Sequence, residues 1–128
     1  MAAYANLLNM SQNFQPGDFL VFQLEAGFAL LRLLAVDDEE TGKIWHLAAY
    51  DDFFPDVETA ELASADPRAL SASKTHIALS NRAFESTQVA RISTVPLTQG
   101  ELEPLIQWIN DPNCEVSDRS VRLLLGVR

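Results

Sequence analysis

Residues 48–61, AAYDDFFPDVETAE, gather five acids and three aromatic rings with no base among them. Two kinds of chemistry fit such a stretch. The carboxylates of Asp51, Asp52, Asp56 and Glu58 are hard oxygen donors of the kind that hold Ca²⁺ or Mg²⁺. The same acids, interleaved with Tyr50, Phe53 and Phe54, would also make a docking surface, because aromatic rings give large contact area and carboxylates steer a basic partner. Spacing decides against the metal. The stretch lacks the alternating D-x-D-x-D-G pattern and its glycine, and adjacent acids such as Asp51 and Asp52 point apart on an extended chain. No metal or other cofactor is expected. The candidate binding residues are Tyr50, Asp51, Asp52, Phe53, Phe54, Asp56 and Glu58. A purely structural reading competes with this one: the rings enter the core and the acids face water. The two coexist if one ring points in and the other out.

The two histidines are the next candidates. His46 and His76, with nearby carboxylates, could bind zinc or exchange protons. They show neither H-x-H nor H-E-x-x-H spacing, and a lone strand histidine is more often structural. They define a second functional class, a small enzyme or ligand-binding protein with a pocket near His46 and His76. Nucleophile signatures are thin. There is no G-x-S-x-G, and Cys114 has Glu115 beside it, an anion where an activated cysteine needs a cation. Ser71-Ala72-Ser73-Lys74 has S-x-x-K spacing without the companion motifs. The 5 glycines are scattered, so no phosphate-cradling loop is present. The expectation is a protein that is not an enzyme.

Charge narrows the partners. The net charge of −9 opposes phosphate backbones and so argues against nucleic acid. Residues 1–66 hold twelve acids against Arg32 and Lys43, a balance of −10, while residues 67–128 sum to +1. A charged partner should therefore be a basic protein that meets the first half of the chain, with Asp37–Glu40 adding long-range steering. The apolar runs Phe28–Leu31 and Leu33–Val36 are far too short to span a bilayer, so no membrane is expected. No basic segment leads into an apolar one at the N-terminus, as a secretory signal would require. Cys114 is the single cysteine, which excludes an internal disulfide and favours the cytoplasm.

The elements that must position these residues follow from pattern. Gln15-Pro16-Gly17-Asp18 is a turn. Phe19–Leu24 reads as a strand, Glu25-Ala26-Gly27 as a reversal, and Phe28–Val36 as the partner strand with Arg32 its single charge. Asp37–Gly42 reads as a solvated turn, since four adjacent carboxylates cannot be buried together. Lys43–Tyr50 completes a meander, and Pro55 ends any ladder after it. Val57–Ala65 has helical spacing, residues 67–73 form a connection, and Lys74–Leu79 is a strand. Asn81–Glu85 reads as a turn or short loop. Gln88–Val95 is a strand whose apolar residues share no parity, the mark of a bulge or two-faced burial. Thr98 with Glu101 forms a capping box for a helix carrying Leu102, Leu105, Ile106 and Ile109, with Pro104 awkward inside it. Ser117–Leu125 is either a helix capped by Ser117 and closed by Gly126, or a last strand.

These elements define an α+β fold: a small SH3-like β-barrel or strongly bent antiparallel sheet, with a C-terminal helix or helices. The organisation is an N-terminal leader at 1–13, helical in part by its alanines, and a single domain at 14–128. Met10 offers a second start. Phe14-Gln15-Pro16-Gly17-Asp18-Phe19-Leu20-Val21-Phe22-Gln23-Leu24, a glycine-bearing hairpin and Phe28–Leu34 resemble the opening of small SH3-like β-barrel proteins of the bacterial immunity-protein type. The likeness covers residues 14–36. Gln23 stands where those proteins carry a second proline, and the hairpin here is short. The resemblance implies an immunity-like, non-catalytic protein that binds and neutralises a toxin. It assigns no functional residue, because the matching positions are turn and core. A third class, a structural homo-oligomer subunit, would use Trp108 and the leader as contacts.

Overall fold

The computed structural model of the chain describes residues 13–40 and 42–125. The leader, apart from Asn13, and the expected closing glycine Gly126 lie outside the described residues. Five strands form one antiparallel sheet: β1 (Asp18–Leu24), β2 (Gly27–Glu39), β3 (Gly42–Phe54), β4 (Ala72–Ser80) and β5 (Ala90–Thr94). Their order is β4-β3-β2-β1-β5. Among the described residues four α-helices flank the sheet: α1 (Val57–Ser64), α2 (Asn81–Glu85), α3 (Gln99–Ile109) and α4 (Val121–Leu125). The protein is thus α+β, but the sheet stays open among the described residues: β4 and β5 are its edges and do not pair. No described helix is long and apolar enough to cross a membrane.

The Pro-Gly-Asp turn does more than reverse the chain. Gly17 adopts φ +97°, a conformation open to glycine, and a Cβ there would stand 2.9 Å from the Val95 carbonyl oxygen. That close approach lets the Gly17 N–H reach Leu33 O at 2.8 Å while its carbonyl accepts from Val95 N at 3.0 Å. The buried Asp18 carboxylate accepts from the Thr94 hydroxyl at 2.6 Å and from the Gln15 N–H at 2.8 Å, with Arg91 at 3.5 Å. The turn therefore joins β1, β2 and β5.

The β2–β3 hairpin is longer than expected at both ends. Asp37–Gly42 is not a broad turn: Asp37, Asp38 and Glu39 pair with Ile44, Lys43 and Gly42. Their carboxylates remain exposed, as their solvation demands, but strand geometry satisfies the backbone at the same time. At the other end β3 runs on to Phe54 because Phe53 and Phe54 pair with Ala29 and Phe28, and Pro55 stops it. Asn81–Glu85 is a helix rather than a loop, since the Ser80 hydroxyl accepts from Ala83 N and caps it. β5 carries the bulge expected of its pattern, where its register against Phe19 and Leu20 slips. The C-terminal segment is the helix α4; Ser117 instead bridges to Leu79 on the edge of β4.

Alternation places apolar residues on both faces of the sheet. On one, Leu20, Phe22, Leu31, Leu33, Trp45 and Leu47 pack against Phe84 of α2 and Val121 of α4. Trp45 stacks on Phe84 at 4.0 Å. On the other, Phe19, Val21, Leu30, Tyr50 and Phe54 pack against Ala60 of α1. Beside that cluster, Leu34 and Ala48 meet Leu105 of α3. The second face carries the polar groups discussed next.

Candidate functional site

Arg32 is the one charge in an apolar stretch of β2, and its side chain is 0% exposed. A buried guanidinium must have its donors met and its charge compensated. Nε donates to Glu101 Oε2 at 2.9 Å and Nη2 to Glu101 Oε1 at 3.2 Å, a two-pronged pair with the first turn of α3. Nη1 donates to the Gly17 carbonyl at 2.7 Å and Nη2 also to the Pro96 carbonyl at 3.1 Å. The Phe19 ring lies 4.2 Å below the guanidinium carbon. Burial works against a charge on Glu101, but the Arg32 hydrogen bond, the Thr98 N–H and the Arg32 charge overcome it and hold the carboxyl below its ordinary range. Glu101 also closes the capping box with Thr98.

This pair sits at one wall of a half-open cleft of about 400 Å³. The wall is mainly apolar, with Leu34, Ala48, Leu70, Val95 and Pro104 among its residues. Its polar lining residues are Tyr50, Arg68, Thr75, Thr98 and Glu101. Tyr50 is 8% exposed, and its ring stacks on Phe19 at 6.1 Å. Its hydroxyl has no hydrogen-bond partner among the described residues, and unlike the sealed Thr87 hydroxyl it is accessible. Burial, reinforced by the Glu101 charge and only partly offset by Arg32, pushes the phenol up to about 12, so it keeps its proton and is a hydrogen-bond donor at any physiological pH. Pro104 has no N–H for the carbonyl four residues earlier in α3, that of Gly100, and both residues line the cleft.

The two histidines meet beneath α3. His46, fully buried, places Nδ1 at 3.0 Å from His76 Nε2 and Nε2 at 2.8 Å from Asp37 Oδ2. The rings lie 20° from parallel, and the Trp108 ring stands 5.1 Å from His46 and 5.3 Å from His76. A carboxylate on Nε2 selects the N–H there, leaving Nδ1 of His46 to accept from His76. Burial first, and the neighbouring His46 second, lower the His76 imidazole to about 4, so it is neutral near pH 7. Among the described residues no trio of His, Cys, Asp or Glu is arranged to hold a metal ion. The chemistry this chain supports is a hydrogen-bonded relay that seats Trp108, and with it α3, on the sheet.

The expected acidic-aromatic surface divides in two. Tyr50 and Phe54 are buried in the core, while Phe53 is 57% exposed. Asp51 is exposed and Asp52 half-exposed, both near Ser71. Asp56 is the N-cap of α1, accepting from Thr59 N at 2.8 Å, and the Thr59 hydroxyl and N–H keep its carboxyl below the usual range. Glu58 is exposed in the first turn of α1. Asp38 and Glu39 are at the far end of the same hairpin from Asp52, about 30 Å away at ~3.3 Å per residue. At that separation salt screens one cluster from the other, so they do not act as one field. Asp37 is occupied by His46. Trp108, considered as an oligomer contact, is half-buried on the histidines instead.

Sequence reasoning passed over Arg32 and read Glu101 only as a cap. The signal was available: a lone arginine in a nine-residue apolar strand has to find an anion from another segment. Nothing local says which one. No protein-family model, curated protein or solved structure matches the chain, so the site is interpreted from its own geometry.

Proposed function

We propose that this protein binds a small, mainly apolar molecule in the cleft between α3 and the sheet. The observation that carries this reading is the cleft itself. Interiors are close-packed, and an apolar concavity of about 400 Å³ with a few inward polar groups is the usual form of a ligand site. His46 and His76 do not line this cleft; their rings pack on Trp108 of α3. The test is titration with N-phenyl-1-naphthylamine, an uncharged apolar fluorophore. Saturable enhancement is expected, and it should disappear when Ala48→Phe or Ala72→Trp fills the cleft. Absence of saturation, or binding that ignores both substitutions, refutes the reading. Ala72 is exposed, so that variant keeps the fold if Ala48→Phe does not.

A second reading is favoured by one specific feature. Phe53 is a large exposed ring flanked by Asp51, Asp56 and Glu58, none of which enters an ion pair among the described residues. An exposed aromatic with free carboxylates suits a basic protein partner. The resemblance of residues 14–36 to SH3-like immunity proteins supports the same non-enzymatic role. The check is capture by the wild type against an Asp51→Asn, Asp52→Asn, Asp56→Asn variant, in which the asparagine introduced ahead of Val57 can still cap α1. A basic protein held by the first and lost by the folded second supports this reading; the same captured set from both refutes it.

A further inference from the structure

Every formal charge around the cleft already has its counter-charge. Glu101 is held by Arg32 at 2.9 Å, and it also takes up the positive end of α3 through the capping box. Arg68, at the rim, is 93% exposed and 3.8 Å from Asp66. An ionised headgroup entering the cleft would shed its hydration, and Arg68, the cation at the rim, is too exposed to repay that loss. What is left without a partner is a donor. Tyr50 lines the cleft, its hydroxyl is bonded to no described residue, and it stays protonated. The open cleft lets water reach this hydroxyl, and a ligand oxygen that takes the water's place keeps the donor bonded where an alkyl chain alone would leave it unmet. An anion placed beside it would feel the same burial and the same Glu101 charge that oppose a phenolate on Tyr50 itself.

We infer that the cleft takes an uncharged, mainly apolar molecule bearing one hydrogen-bond-accepting oxygen, such as a ketone or ester, anchored by the Tyr50 hydroxyl. This rests on the cleft being a ligand site at all, and the experiment separates the two. N-phenyl-1-naphthylamine bound to the full chain is displaced with octan-2-one, octylamine or octanoate, which share chain length and differ in headgroup. The ketone should displace at about tenfold lower concentration than either ion. Tyr50→Phe removes the hydroxyl and keeps the ring on Phe19. It should weaken the ketone about fivefold while leaving the affinity for the fluorophore within about twofold. If either ion displaces as well as the ketone, or if Tyr50→Phe leaves the ketone unchanged, the ligand class is wrong and the cleft reading stands. If the fluorophore itself does not saturate, the cleft reading has failed first.

Discussion

Glu101→Gln isolates one charge with little change of shape. Glutamine keeps the side-chain oxygen that accepts from Thr98 N, so the capping box of α3 survives. What goes is the anion opposite Arg32, which is 0% exposed and cannot turn to water without dismantling β2. Removing one partner of a buried pair costs about 3–5 kcal/mol, because the remaining charge is left uncompensated. Arg32 retains the Gly17 and Pro96 carbonyls and the Phe19 ring. The loss should therefore lie near the lower end, about 3 kcal/mol, or roughly 10 °C in the thermal midpoint of a domain this size. Urea unfolding followed by tryptophan fluorescence, with an unchanged dependence on denaturant, would report it. Arg32→Met alone leaves the Glu101 carboxylate without its counter-charge, whereas Arg32→Met with Glu101→Gln leaves no unpaired charge. The double variant should thus be more stable than the sum of the singles, by about 2 kcal/mol. If Glu101→Gln unfolds within about 0.5 kcal/mol of wild type, or the two changes simply add, Arg32 does not depend on Glu101 and the electrostatic account of the site is wrong.

Acidification should act first through His76. Its imidazole is lowered to about 4 in the fold and takes a proton near 6.5 when unfolded, so stability is lost as pH falls from 6.5 towards 4 and is not recovered below. Discounted for its half-exposed ring, the loss is about 1–2 kcal/mol, and His76→Gln should flatten that limb of the curve; parallel curves would show the histidine is not responsible. The depressed Glu101 carboxyl contributes stability present above its ordinary range and lost at still lower pH, so Glu101→Gln should remove the more acidic part of the decline, an outcome read from the same titrations. Gly17→Ala forces a Cβ to 2.9 Å from Val95 O at φ +97° and should cost at least about 2 kcal/mol by urea unfolding; a neutral result would mean the turn can shift. Tyr50→Phe, which removes no described protein hydrogen bond, should leave the urea midpoint nearly unmoved, and a marked loss would mean the hydroxyl serves the fold rather than a ligand.

Much of the fold was legible because it rests on local rules. The Gln15–Asp18 turn, the reversal before β2, the Thr98–Glu101 capping box and the bulge in β5 all announce themselves within a few residues. The misread pieces are those decided by distant partners. Asp37 to Glu39 read as a turn by charge, yet β3 offers them a ladder that leaves their carboxylates in water. Asn81–Glu85 is too short to show a helical period, yet Ser80 caps it and Phe84 has Trp45 to stack on. The opening hairpin alone does not decide a barrel, because closure depends on whether the last strand meets the fourth, and among the described residues β5 pairs with β1 alone. The site was the least legible part. His46 and His76 were visible as residues, but their contact depends on β3–β4 register, and Arg32 and Glu101 are 69 residues apart.

The element on which both features depend is α3. It buries Leu105 and half-buries Leu102 and Trp108 against Leu34 and Ala48, while Ile106 and Ile109 are exposed, so one side chain alone is fully sunk into the sheet. Two further contacts seat it: the ion pair of Glu101 with Arg32 near its start, and the Trp108 ring packed on the histidine pair near its end, about 10 Å apart at 1.5 Å rise per residue. Pro104 lies between them in the wall of the cleft. A helix held mainly at its ends, with a proline interrupting its ladder between them, is less stiff where it borders the cleft than a helix bolted down along its length. A packed apolar stripe would have closed this face of the sheet. An ion pair at one end and a packed tryptophan ring at the other, in place of that stripe, keep the helix seated and leave the concavity open, which is why the buried charges and the cleft are better understood as one arrangement than as two.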